Sequence, residues 1–557
     1  MQWLLALAAL ATIAVPIGLL YRPLGSYMAW VFTSPRRGKA EMAIYKVIGV
    51  NPNREQTWHE YLRSVLAFSA VGVVLLYLIQ RLQPWLPYSL GLPAVRPDTA
   101  FNTAASFVAN TNWQSYVPET TTGYTVQMVG LVVQMFVCAA VGISVAMALT
   151  RGIAVHRGHT IGNFWADITR CTLRLLLPMS VIAAIVYMTG GVIQNFAGLT
   201  HITTLAGANA VIPGGPLASQ QAISMLGTNG GGFFNANSAH PFANPTAWTN
   251  LFQVFSLLVI PFCLPHTFGK IVKDQRMGYV LLATMVTLFL MAYVLLTMFE
   301  LNAAGTAPQL AGGSMEGKEQ RFGEIGSTLF GTATTGTSGG AANSMHGSYT
   351  ALGGLVLMMH MLLGEVSPGG VGAGLYSLLA LSMVAVFLTG LLLGRTPVFL
   401  GKKVGLRETK LAGLFILVLP VLSLTGMAIT LGVPGVRREI VTQAMNSTGP
   451  HGMSEVIYAF ISVSINNGSA FAGLSANTPY LNTMFGVLML LGRFIPIGLV
   501  LALAGSFAEQ DKAASRITEL PLHKPQFVVL LVVIIIYIAL PTFMPVLMLG
   551  PLAEGLH

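Results

Sequence analysis

Four short polar segments interrupt an otherwise apolar chain, and their residue types suit one kind of chemistry: holding a dehydrated cation with backbone oxygens. They are Thr111-Asn112-Trp113-Gln114-Ser115, Thr228-Asn229-Gly230-Gly231-Gly232, Thr337-Ser338-Gly339-Gly340-Ala341 and Ile465-Asn466-Asn467-Gly468-Ser469, each between two long apolar stretches. Gly, Asn, Ser and Thr are poor residues for a helix interior, so each segment predicts unwound backbone. At membrane depth such backbone survives only where it is buried in protein or lines a wet cavity. Four copies around one axis would present a ring of carbonyls, which can replace a cation's hydration shell. Aligned on Asn or Ser, the segments read Asn112-x-Gln114, Asn229-x-Gly231, Ser338-x-Gly340 and Asn466-x-Gly468. Glycine at the second place permits positive φ and turns successive carbonyls toward the axis. Gln114 breaks the pattern, so the ring is expected to be asymmetric. The competing reading, that small residues only let helices pack closely, loses weight because the copies occupy matched positions.

Two ionisable residues lie in apolar sequence. Glu365 sits in Gly364-Glu365-Val366-Ser367-Pro368-Gly369-Gly370, and Arg493 in Leu490-Leu491-Gly492-Arg493-Phe494. An intramembrane carboxylate or guanidinium is a functional candidate by default. Glu365 either gates or attracts the ion, or caps a broken helix. Arg493 either sets the potential below the ring or is a buried partner of Glu365 or of backbone carbonyls. Gly369 and Gly370 join them as candidate ion-path residues. The basic turn Gly394-Arg395-Thr396-Pro397 with Leu400-Gly401-Lys402-Lys403 either docks a partner or only fixes topology. His240, His346, His360 and His451 show no metal-ligand spacing, and Cys138, Cys171 and Cys263 are too few for a disulfide framework. Neither a G-x-x-x-x-G-K-[ST] phosphate loop nor an Asp-Lys-Thr-Gly phosphorylation motif occurs. The chain is therefore expected not to be an enzyme and to use no cofactor.

The elements that must position these residues follow from hydropathy and charge. Of 557 residues, 54% are hydrophobic and 9% charged, against about a quarter charged in soluble proteins. Uncharged windows of about 20 residues suffice to cross a bilayer. Ten crossings are expected, at 2–21, 63–83, 124–150, 169–193, 249–272, 277–299, 349–395 (broken at Gly364–Gly370), 410–432, 481–505 and 525–548. The net charge of +10 does not signal nucleic acid, because Lys and Arg cluster in alternate loops. Residues 22–63, 151–174, 270–276, 395–410 and 512–524 hold most of them. By the positive-inside rule these loops are cytoplasmic, and all four polar segments fall outside. The N-terminus lacks a basic start and a clear cleavage site, so it reads as a retained helix.

A short amphipathic stretch precedes each polar segment: Phe101–Ala109, Leu217–Leu226, Gly326–Thr334 and Ser454–Val463. Each is too short to span, and reads as a re-entrant helix whose negative C-terminal end favours a cation. The uncharged region 194–247 is expected to fold back into the membrane. The expected architecture is an all-α membrane protein, one polytopic domain over 1–557. It comprises an extra helix at 1–21, four helix–pore loop–helix units at 63–150, 169–272, 277–395 and 410–505, and a last helix at 525–548.

Several of these segments resemble one family. Met225-Leu226-Gly227-Thr228-Asn229-Gly230-Gly231-Gly232-Phe233-Phe234-Asn235-Ala236-Asn237 resembles the second pore loop of KdpA, the potassium-binding subunit of the bacterial potassium-transporting P-type ATPase. Asn110-Thr111-Asn112-Trp113-Gln114-Ser115-Tyr116 resembles its first loop, Asn466–Leu474 its fourth, and Gly394–Lys403 a cytoplasmic signature. The likeness runs from Arg22-Pro23-Leu24-Gly25 to the C-terminus. It implies the fold of the superfamily of K+ transporters and a place in a complex of the bacterial inner membrane. The implied partners are a KdpB-like P-type ATPase catalytic subunit, a KdpC-like accessory subunit and a small single-helix KdpF-like subunit. It further implies that external K+, the transported ion, is captured in the filter and handed through an intramembrane tunnel to the ATPase subunit. A self-sufficient passive K+ channel or ion-coupled carrier of related fold is the alternative.

Overall fold

In an apolar solvent every backbone polar group must be satisfied within the chain, and a helix does this with its own bonds. The computed structural model describes residues 1–303, 308, 310, 313–511 and 521–555. Lys512 and Arg516, part of the last basic loop, lie outside the described residues. Ten of the described helices are long and apolar enough to cross a bilayer. They are α1 (Gln2–Thr33), α3 (Trp58–Arg81), α5 (Val126–Ala154), α6 (Phe164–Thr189), α8 (Ala247–Val272), α9 (Gln275–Leu301), α12 (Ala373–Leu392), α13 (Leu406–Gly432), α15 (Pro479–Glu509) and α16 (Pro525–Leu547). Between them stand the short helices α2 (Lys39–Val47), α4 (Pro97–Val108), α7 (Leu217–Leu226), α10 (Gly323–Gly336), α11 (Ala351–Leu362) and α14 (Gly449–Ser464). In α3–α4–α5, α6–α7–α8, α9–α10–α11 and α13–α14–α15, a short helix and a loop therefore separate two flanking helices.

Polar side chains set several starts. Thr57 and Glu60 form a capping box at α3, and Asn163, Thr246, Asp274, Thr350 and Thr478 cap α6, α8, α9, α11 and α15. Burial separates centre from rim. The apolar windows of α5 and α8 are 72% and 83% buried, those of α1, α3, α13 and α16 17–28%, so α5 and α8 form the centre. At the end carrying the basic loops, Arg151 makes two 2.7 Å bonds to Asp167, which also accepts from Tyr61 at 3.0 Å. This ties α3, α5 and α6 together. At the opposite end Lys318 pairs with Glu300 at 2.7 Å, both side chains fully buried.

Three expectations need correction. The first helix does not stop at residue 21 but runs through Pro16 and Pro23 to Thr33. An interior proline costs about 3 kcal/mol, but the next turns bury Met28, Val31 and Phe32, and Gly25 packs tightly on His266 and the Cys263 carbonyl of α8. The uncharged region 194–247 is not uniformly buried: its part around the polar segment is buried, but it first forms an exposed antiparallel hairpin, β1 (Thr200–Thr203) and β2 (Asn209–Ile212). Strand pairing satisfies this backbone without charged side chains, so lack of charge was no guide to burial. The basic turn forms a second hairpin, β3 (Val398–Phe399) and β4 (Lys402–Lys403). Its Lys402 is buried and donates to the carbonyls of Val155, Phe507 and Gln510 at 2.6, 2.9 and 2.5 Å, clamping the C-terminal ends of α5 and α15. Cations suit those ends of a helix, so Lys402 is structural, while Arg395 and Lys403 are exposed.

Candidate ion-binding site

The four short helices α4, α7, α10 and α14 end at residues 108, 226, 336 and 464. Two residues later each chain turns left-handed, at Asn110, Thr228, Ser338 and Asn466, with φ of 63°, 45°, 49° and 57°. Two residues further a second left-handed residue follows: Asn112, Gly230, Gly340 and Gly468, with φ of 55°, 75°, 62° and 97°. Between the two, the amides of Thr111, Asn229, Gly339 and Asn467 donate to the carbonyls of Ser106, Ser224, Thr334 and Ser462 at 2.8–2.9 Å. The same bond recurs four times. This fixes the register and shifts the sequence alignment by two residues in the first loop and by one in the second. The third and fourth loops keep their alignment.

The loops touch in a closed cycle. A Cβ on Gly230 would collide with the Gly339 carbonyl, on Gly340 with that of Asn467, and on Gly468 with that of Thr111. Each lies at positive φ, where a Cβ is also disfavoured. The cycle closes at Asn112, which carries a side chain. Its Nδ2 donates to the Gly230 carbonyl at 3.4 Å, and the room it needs lies against Gly231, whose own Cβ would stand 3.1 Å from Asn112 Cβ. The order is loop one to two to three to four and back to one.

Side chains brace the ring from outside. Asn229 donates to Asn110 Oδ1 at 2.8 Å, and Asn466 to Thr111 Oγ1 at 2.8 Å. Asn467 Nδ2 donates to the Thr334 carbonyl at 3.2 Å. Cys138 Sγ lies 2.9 Å from Asn110 Oδ1, a use that its sequence context does not announce. Gln114 accepts from the Gly232 amide at 2.8 Å; it anchors the second loop. Trp113 is buried against Phe485, and Thr337 bonds back to the Ala333 carbonyl. A relay supports loop four: Asn467 Oδ1 accepts from Ser469, whose Oγ lies 2.7 Å from the Tyr458 hydroxyl, itself 2.9 Å from His346 Nδ1. Sequence reading missed Asn110, Cys138, Tyr458 and the residues at 106, 224, 334 and 462, whose carbonyls accept the four recurring bonds. The last had a signal, a Ser or Thr four residues ahead of the first left-handed residue of each loop.

Against loops two and three lies the break between α11 and α12. The Gly369 amide donates to the Gly336 carbonyl at 2.8 Å, and the Val371 amide to Thr228 Oγ1 at 3.0 Å. A Cβ on Gly370 would lie 3.2 Å from the Thr337 carbonyl. Next to this break is a cavity of about 140 Å3 lined by Glu365, Tyr376, Asn466, Gly492, Arg493 and apolar residues of α13 and α16, room for several waters. Glu365 and Arg493 share it without an ion pair within 4.0 Å among the described residues; Arg493 instead donates to the Cys138 carbonyl at 3.3 Å. His360 bonds Thr335 and Ser367, and His451 bonds Glu554. No cluster of His, Cys, Asp and Glu suited to a metal occurs among the described residues.

Four short helices that end on one ring of left-handed backbone, inside a bundle of apolar helices, define a polytopic membrane protein of the pore-loop class. The fold is similar to that of the potassium transporter TrkH from Vibrio parahaemolyticus, with a TM-score of 0.53, 15% identity, and coverage of 89% of this chain and 99% of that one. The chain belongs to the KdpA family, the potassium-transporting ATPase A subunits, whose model matches residues 10–556. It is 59% identical over 556 residues to the potassium-transporting ATPase potassium-binding subunit of Clavibacter michiganensis subsp. michiganensis, covering the whole of both chains. It is 55% identical over 556 residues, again the whole of both, to the subunit of that name from Cutibacterium acnes.

Proposed function

We propose that this chain is the non-catalytic, potassium-binding subunit of an ATP-driven potassium import complex in a bacterial inner membrane. The observation that carries the reading is the closed cycle of four left-handed loops, each at the C-terminal end of a short helix. Family membership and the names of the relatives support it. The four helix–loop–helix units surround one axis, with the loops outside and the basic loops in the cytoplasm. Four helix ends contribute partial negative charge there, and ring carbonyls replace water around K+. The site takes K+ from outside and passes it, by the cavity of Glu365 and Arg493, to a partner P-type ATPase subunit. That subunit hydrolyses ATP, and a KdpC-like and a KdpF-like subunit complete the complex.

The test is potassium uptake by cells lacking other potassium importers, with this chain expressed alone or with its ATPase subunits. Uptake only with the ATPase, and abolished by vanadate, is expected. Vanadate-insensitive uptake by the chain alone would instead make it a channel or an ion-coupled carrier.

A further inference from the structure

Among the described residues, the buried cations are satisfied by protein groups, with one exception. Arg151 holds Asp167, Lys318 holds Glu300, and Arg493 and Lys402 hold carbonyls. Arg170, on α6 and only 9% exposed, has a buried Nε with no hydrogen-bond partner, and its side chain has no acid within 4.0 Å among the described residues. It belongs to a cluster around Tyr45. Arg37, Arg170 and Arg174 all lie close enough to the Tyr45 hydroxyl to act on its charge, together with the single acid Glu41. Glu41 is already engaged by two nitrogens of Arg174. Four buried polar atoms in the cluster have no partner: Arg37 Nε, Arg170 Nε, Arg174 Nη1 and the Tyr45 hydroxyl, itself on a residue only 2% exposed.

A desolvated guanidinium without a counter-charge costs several kcal/mol. Arg170 is such a group, and the one acid beside it is already taken by Arg174, so the site calls for a further anion. The unpartnered atoms are three N–H donors and one hydroxyl, so the missing ligand is an oxygen-rich acceptor; arginine forks match a phosphate. The position indicates its source. The cluster sits where the end of α1 and the start of α6 meet α2. Beside it are Tyr27 and Trp30, 41% and 44% exposed, stacked at 5.7 Å. The Arg174 guanidinium lies 5.5 Å from the Trp30 ring centre, and the Tyr27 hydroxyl donates to the Arg174 carbonyl at 2.7 Å. Exposed Trp and Tyr mark the headgroup level of a bilayer. Basic pockets between helices at that level take anionic headgroups.

We propose that Arg37, Arg170, Arg174 and Tyr45 form a receptor for the phosphate of an anionic phospholipid, seated between α1, α2 and α6. Its acyl chains run along the apolar face of α1 past Trp30.

The test uses the full chain in detergent, with phosphatidylglycerol or phosphatidylcholine added at equal concentration and bound lipid counted by native mass spectrometry. Selective retention of phosphatidylglycerol is expected. The double variant R37Q/R170Q should retain it about thirtyfold less, two basic contacts being lost. R395Q, an exposed arginine elsewhere, should leave retention unchanged. If the double variant does not fold, Y45F removes one hydroxyl and should lower retention about threefold, a single hydrogen bond. Undiminished retention by a folded R37Q/R170Q or Y45F would overturn the proposal. So would displacement of the lipid by millimolar inorganic phosphate, which would assign the site to the free ion. Loss of the lipid on assembly with partner subunits would also overturn it, giving the donors to an acidic segment of protein.

Discussion

The ring residues 110–114, 228–232, 338–341 and 466–469 include no ionisable side chain, whereas the cavity beside them is lined by Glu365, Tyr376 and Arg493. The two regions share Asn466 and are in contact, yet they are built from opposite materials. At three joints of the ring backbone packs on backbone, each glycine against the carbonyl of the next loop; the Asn112 side chain makes the fourth, and neutral Asn and Gln side chains brace the rest. The cavity is lined by side chains, and its acid and base form no ion pair with each other: Arg493 donates to the Cys138 carbonyl instead. Under the proposed function, the ring discriminates between ions by geometry, and the cavity governs passage by charge. A full negative charge within the ring would hold a cation too firmly to release it.

This division of labour should collapse most completely at a glycine joint. Gly468→Ala places a methyl group onto the Thr111 carbonyl at a φ of 97°. A left-handed Cβ and overpacking together cost about 3 kcal/mol. The expected result is potassium affinity about a hundredfold weaker, with lost discrimination against rubidium, read from ion-stimulated ATPase activity of the assembled complex. Gly340→Ala should match it. Wild-type discrimination in both would mean that the joints do not set the site.

The cavity should fail differently. Glu365→Gln removes the charge but keeps the shape. Transport should slow about tenfold, within the range of one charge acting at short distance, while the potassium-over-rubidium ratio stays at the wild-type value. Single-turnover uptake at saturating and limiting ion separates the two quantities. Wild-type flux would retire Glu365 from the ion path.

The ring's one irregular joint gives a graded case. Gly231→Ala meets Asn112 at 3.1 Å rather than in hard collision. The left-handed conformation alone, worth about 1–2 kcal/mol, predicts affinity weakened about tenfold. Combining it with Asn112→Gly should restore none of that loss, because the strain lies in the backbone at residue 231 and the Asn112 bond to the Gly230 carbonyl is removed as well.

The smallest effect concerns what supports the ring. Burial, with the nearby Lys318 charge, lowers the pKa of His346 from 6.5 to about 4. The folded chain keeps this group neutral, whereas the unfolded chain protonates it. Its stabilising effect is therefore full above pH 6.5 and lost as the outer pH falls toward 4. Thermal unfolding should drop by a degree or two between pH 7 and pH 5 for a chain of this size. His346→Gln should flatten that dependence and leave ion discrimination intact.

Much of this was legible in the sequence. The crossings follow from runs without charge, and the helix before each loop from its length and polar end. Gly364–Gly370 announced the break in the seventh crossing. The ring's register was not legible, because Asn, Thr and Ser all serve as its first left-handed residue. Asn112 then takes a place that glycine holds elsewhere. Matching Asn112 to Asn229 and Ser338 therefore put loop one two residues out of phase. The fixed marker was Ser106, Ser224, Thr334 and Ser462, whose backbone bonds tie each helix to its loop. Lys402 was misjudged because a buried lysine clamping two helix ends and a topology-setting lysine look alike in sequence. The fate of Pro23 depended on packing against α8, which no local pattern reveals.

Whether the ring is the ion site turns on where a heavy analogue of potassium sits. Crystals of the assembled complex soaked in rubidium should give an anomalous peak on the axis of the ring, among the carbonyls of Thr111, Asn229, Gly339 and Asn467 and their neighbours. The same soak of the Gly468→Ala complex should lose that peak. Rubidium bound only at Glu365, with the ring empty in the wild-type complex, would contradict a ring that selects the ion.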